Sequence, residues 1–205
     1  GTETVRNPGP LKLASSTRSV FIACTVLGLV GLGIGIATNS AHGWSSLLLN
    51  HFFFMSLALG GLFICAVDHA TGAMWSAPIR RLAESFSAYL PMVLVGFLVI
   101  AFVGFPHLFP WAHTENMKGF IWIRKKKYLN FTFFVIRNLA AIALWFFFRA
   151  KLVGNSVAQD QDGNFVHTRR NRIVAPIFLV VFALSFTMAS FDQLMSLDPL
   201  WFSTM

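Results

Sequence analysis

Charge is scarce in this chain: acidic residues number 8 in 205 positions, and charged residues of both signs make up 12%. A soluble globular domain carries about 25% charged residues, so this composition excludes an ordinary water-soluble fold. Cysteine is nearly absent. Cys24 and Cys65 both fall in apolar runs, and no CxxC pair or CxxCH motif occurs. A covalently attached haem or an iron–sulfur cluster held by this chain alone is therefore not expected, and no metal site is assigned. Histidine within apolar segments is equally sparse. His51 is the one imidazole well inside such a run, whereas His42, His107, His113 and His167 lie in connections. That argues against a b-type haem held by this chain alone. The excess of positive charge, +8, comes with no nucleic-acid-binding motif.

What the chain does have is long hydrophobic runs. Five of them cover roughly 19–38, 46–67, 85–105, 129–148 and 173–197. A helix needs about 20 apolar residues to cross a bilayer. The expected fold is all-α: a polytopic transmembrane helical bundle of about five spans over 19–205, preceded by an N-terminal segment 1–18. The first run, with four spans behind it, reads as a retained helix and not as a signal peptide. The abrupt end at Met205 suggests a piece of a longer protein.

Basic residues flank the runs. Arg6, Lys12, Arg18, Arg80, Arg81, Arg149, Lys151, Arg169, Arg170 and Arg172 fall on one side, and Lys118 with Arg124–Lys127 on the other. The positive-inside bias then expects a cytoplasmic N-terminus, against the pull of the 124–127 cluster. Asn39–Ser45 reads as a short turn. Asp68–Glu84 reads as a surface connection, and Gln159–Asn164 as a polar turn. Gly31 and Gly35 form a GxxxG pair, which suits either a tight helix seam or a merely glycine-rich span. Pro91 is expected to kink the third span.

The polar residues inside the runs carry the functional question. Arg137 stands about eight residues into the fourth run, and a guanidinium in lipid demands a partner or a route to the interface. Asp192 near the end of the fifth run is the expected partner. With alternating helix directions, Asn50, His51, Asn130, Arg137, Asp192 and Gln193 share one depth. Such a group suits a proton path or a quinone headgroup, and it suits a structural ion pair equally. Asp68, His69 and Glu84 lie at the opposite end, either as groups through which protons enter or as solvated helix-end charges.

Several stretches resemble a known family. Leu48–Gly60 (LLNHFFFMSLALG) is similar to the second helix of the membrane subunits of bacterial alternative complex III, a quinol:cytochrome c oxidoreductase. Trp75, Ile79–Arg81 and Glu84 look like the connection after it, and Tyr128–Asn130 with Phe133, Phe134 and Arg137 like the start of the fourth helix. The sharpest match is Phe191–Thr204 (FDQLMSLDPLWFST). There the family has Asp, two variable residues, Met-Ser-Leu, an acid, Pro-His-Trp, an aromatic and Ser-Thr. Asp198 and Trp201 keep the pattern as an outer-surface motif, but Leu200 replaces the usual histidine. His51 occupies a position that is polar, often Asn, in the family.

The resemblance covers the chain from about Trp44 onward and points to the second of two large NrfD-like subunits. It implies half of a ten-helix protein in the bacterial inner membrane. It also implies quinol or quinone as the redox ligand, with haems and iron–sulfur clusters on partner subunits. Those partners are a second NrfD-like subunit, an iron–sulfur subunit, c-type haem subunits and a terminal oxidase, besides membrane lipid. This chain would supply scaffold, quinone-pocket wall or proton path. A secondary transporter or channel fragment, or a purely structural membrane subunit, is the alternative.

Overall fold

The computed structural model describes residues 14–73, 77–113 and 124–200. Among them the secondary structure is helical, and five helical stretches are long and apolar enough to cross a membrane. The chain is thus an all-α membrane protein of multi-pass type. It divides into two units, residues 1–43 and 44–205.

The first unit contains α1 (Ser15–Thr38), a 24-residue helix with no buried residue of its own. Its start at Ser15 takes in four residues assigned from the sequence to the N-terminal segment. Serine and arginine are acceptable helix formers outside the apolar core, so the helix overruns the hydrophobic run. Among the described residues of this unit no neighbouring atom would lie within 4 Å of a side chain at Gly31, so the GxxxG seam is not formed there. α2 (Ser40–Thr71) begins after the single non-helical residue Asn39. The expected seven-residue turn at Asn39–Ser45 is therefore largely helix.

The second unit is an antiparallel bundle. Its third span is assembled from pieces: α3 (Ala77–Phe86), a 3₁₀ turn (Ser87–Tyr89), α4 (Leu90–Val99), a π-helical turn (Ile100–Gly104) and α5 (Phe105–Leu108). Prolines explain the pattern. Pro91 and Pro106 occupy first-turn positions of α4 and α5, where the missing N–H costs no intrahelical bond. The irregular turns lie just before them, as expected for Pro91. α6 (Phe131–Asp162) and α7 (Val166–Gln193) complete the bundle, and a 3₁₀ turn follows at Met195–Leu197.

α6 runs 14 residues beyond the apolar run that ends at Phe148. Arg149 and Lys151, expected in a connection, are therefore helical. Once outside hydrocarbon, Lys, Ala, Gln and Asp sustain a helix without a lipid-facing surface. The stop is Gly163, left-handed at φ 65°, whose N–H bonds to the Gln159 carbonyl. The polar turn shrinks to the residues around Gly163.

Phenylalanine builds much of the packing. Rings of Phe148, Phe178, Phe182 and Phe186 form a ladder with successive centroids 5.3–5.7 Å apart, and Phe52 and Phe63 of α2 join it. A second group gathers Phe97, Phe105, Phe109 and Trp111 around Phe134. Aromatic pairs at these separations favour offset or edge geometries over face-to-face stacking. In lipid, where apolar burial gives little driving force, such shape-specific contact matters more.

Candidate functional site

Residue Asn130 opens α6 as its N-cap, its side-chain oxygen accepting from Thr132 N–H at 2.9 Å. Two turns on, Arg137 and Asn138 leave the helix on the side facing α7. The two helices are antiparallel neighbours, which brings Asp192 and Gln193 to the same level.

Arg137 and Asp192 form a two-pronged pair. Nε donates to Oδ2 at 2.9 Å and Nη2 to Oδ1 at 2.8 Å. Asp192 is fully buried, and the Arg137 side chain is 16% exposed. Both terminal nitrogens of Arg137 also donate to the Tyr128 carbonyl at 3.2 Å, and the guanidinium carbon lies 3.9 Å from the Tyr128 ring centroid. This parallel geometry is the strong form of the carboxylate–guanidinium bond. Tyr128 precedes the span. Burial, with the Asp192 carboxylate as a second cause, holds its phenol above the ordinary value of 10.0.

Asn138 extends the pair into a network. Its amide donates to Asp192 Oδ2 at 3.2 Å and to the Phe134 carbonyl at 2.9 Å, while its own oxygen accepts from Gln193 Nε2 at 2.8 Å. Ser196 Oγ donates to the Asp192 backbone carbonyl. Asn138 is 1% exposed, and sequence reasoning passed over it. The available signal was an uncharged amide adjoining an arginine in an otherwise apolar run.

Not every residue expected at this depth joins the network. Asn50 is exposed and donates to the Ser46 carbonyl of its own helix at 2.8 Å. His51 is buried on α2 against α4, where a methyl added at Gly96 would fall 2.5 Å from its Nδ1. Among the described residues its Nε2 meets no hydrogen-bond partner, and neither do Trp111 Nε1 and Gln193 Oε1. Equal depth did not mean equal azimuth: His51 faces α4, while Arg137 faces α7. Asp198 follows the final 3₁₀ turn, exposed, and accepts from Leu200 N–H at 3.2 Å. Trp75 and Trp201 lie outside the described residues.

The opposite end of the bundle holds a second network. Asp68 pairs with Arg80 through Nε at 3.0 Å and Nη2 at 2.7 Å. Arg81 bonds Glu84 at 2.6 Å, the Ser156 carbonyl at 3.0 Å and the Asp160 carboxylate. Arg149 Nε donates to Ser87 Oγ at 3.2 Å. Asn171 meets His69 at 3.3 Å, accepts from Asn155 and donates to the Leu152 carbonyl. Asp68, His69 and Glu84 are each 5% exposed. Asp68 and His69 are interhelical ties and Glu84 bonds Arg81 within α3, so the three are not the solvated helix-end charges that were the alternative. Trp145 Nε1, donating to Ser185 Oγ at 2.9 Å, is a buried polar contact between the two ends. No group of three or more metal-ligating side chains occurs among the described residues.

Chemically, the Asn130 end offers a buried carboxylate whose oxygens are already engaged, beside buried polar atoms with unused hydrogen-bonding capacity. No protein-family model matches the chain, and no curated protein does.

Proposed function

We propose that this chain is a membrane subunit of a respiratory quinol:cytochrome c oxidoreductase of the alternative complex III type, lodged in the bacterial inner membrane with its N-terminus in the cytoplasm. It contributes a proton path or quinone-pocket wall at the Asn130 end of the bundle, and redox centres belong to partner subunits. The observation that carries this reading is the buried Arg137–Asp192–Asn138–Gln193 network within apolar helices. Ionisable groups inside a membrane span are costly, and function is the usual reason for keeping them. The resemblance of the motif around Asp192 and Asp198 supports the choice of family. A water chain would satisfy the unpartnered atoms of His51, Trp111 and Gln193, while a quinone oxygen would accept from the His51 and Trp111 nitrogens alone.

One observation favours a structural reading: Asp192 is fully buried, and both its oxygens already accept bonds. A clasp of that kind fixes helix register without moving protons. Asp192→Asn in the assembled complex separates the two. The proton-path reading expects quinol:cytochrome c turnover to fall steeply with all subunits and haems copurifying. Unchanged turnover in an intact complex would leave the clasp alone. Failure of haem and iron–sulfur subunits to copurify with the native chain would remove the respiratory assignment.

A further inference from the structure

The Gly163 end of the bundle carries more positive charge than its acids engage. Asp68 is paired with Arg80, Glu84 and Asp160 with Arg81, and Asp162 with His167. Lys151 and Arg170 form no ion pair among the described residues. Both line one groove of about 500 Å³ between α6 and α7. Asn155 joins them at the rim, and no carboxylate lines the groove. Towards the bundle's middle its wall turns apolar with Phe147, Ile173 and Ile177, each more than half exposed.

Helix geometry sets the polarity of this groove. Lys151 lies one turn beyond Phe147 on α6, and Arg170 lies one turn before Ile173 on antiparallel α7, so both cations reach the same rim. Below the rim the wall belongs to the apolar runs 129–148 and 173–197. An occupant that satisfies both parts has a negative head at the rim and a hydrocarbon tail along the wall. A soluble anion would meet only the rim. An apolar helix would cover the wall and leave two cations unpaired at a hydrocarbon boundary, where unpaired charge is unfavourable.

We propose that this groove selectively holds an anionic phospholipid, its phosphate between Lys151 and Arg170 and its acyl chains along Phe147, Ile173 and Ile177. The site is separate from the Arg137–Asp192 network and does not depend on the respiratory assignment.

The test uses the whole protein in nanodiscs of equal phosphatidylglycerol and phosphatidylcholine. Lipid retained after a mild detergent wash is then quantified by mass spectrometry. Native protein should retain phosphatidylglycerol in preference by about thirtyfold, as expected for two basic side chains at a headgroup. Lys151→Gln with Arg170→Gln should return the ratio to that of the bath. The charge-conserving Lys151→Arg and Arg170→Lys should keep the preference, as should Arg169→Gln outside the groove. A bath-like ratio in the native protein, or an undiminished preference in the double variant, would overturn the proposal. So would complete displacement of the preference by inorganic phosphate, which would assign the rim to a free anion.

Discussion

Arg137 reaches across from α6 and closes a parallel double hydrogen bond on Asp192 of α7, at 2.9 and 2.8 Å. Each residue is tolerable in its span because the other is there. Charge pairs of this kind gain little over an apolar replacement, yet losing one member is expensive.

Arg137→Ala should therefore destabilise the bundle by about 3–5 kcal/mol, because it leaves a buried carboxylate uncompensated. Arg137→Met with Asp192→Leu should recover most of that loss. Unfolding of both variants in detergent, followed by circular dichroism, measures the difference. Equal stability of the single and double variants would contradict it.

Asn138 ties the pair to Gln193. Asn138→Leu strands the Gln193 amide and removes one bond to Asp192, for a cost of about 1–3 kcal/mol. Asn130→Ala, which removes only a helix cap, should cost about 1 kcal/mol. A larger effect at the cap than at the network, in the same unfolding assay, would overturn the ranking.

Gly96 is required by the imidazole beside it. A methyl there would press on His51 Nδ1 at 2.5 Å. Gly96→Ala should lower the melting temperature through an overpacking cost of about 1–3 kcal/mol. His51→Ala in the same chain should relieve it. No rescue by the second substitution would mean that the two do not meet.

Tyr128 should titrate late. Its phenol is held above 10.0 by burial and then by Asp192. A raised folded value contributes stability that is complete below the unfolded value and is lost as pH rises through the folded one. Tyrosinate absorbance should therefore show Tyr128 ionising above the ordinary range. Asp192→Asn should shift it downward. An unmoved titration in that variant would remove the carboxylate as a cause.

Much of this was legible in the residues. Long apolar runs define spans because lipid leaves few alternatives. Arg137 and Asp192 could be matched because alternating helices put both at one depth and opposite charges seek each other. Rotation about a helix axis is harder to read. His51 and Asn50 share that depth yet face away from the pair, since depth follows from sequence position and azimuth from packing. Asn138 escaped notice because a neutral amide announces no partner. Asp68, His69 and Glu84 lie at the other end of the bundle, buried. Their partners are Arg80 and Arg81 of α3 and Asn171 of α7, and no local pattern reveals that the last meets His69. The ends of α2 and α6 were placed too early because hydrophobicity marks where lipid stops, not where the backbone stops coiling.

α6 is latched twice to α7, near its start through Arg137 and near its end through Asn155, whose amide meets Asn171 at 2.8 Å. A rod held at two points cannot slide along its neighbour like a piston, nor roll about its own axis, without releasing both catches. The third span has no such uniform stiffness: its coil tightens at Ser87–Tyr89 and widens at Ile100–Gly104. The jointed span thus has bends that the latched pair lacks.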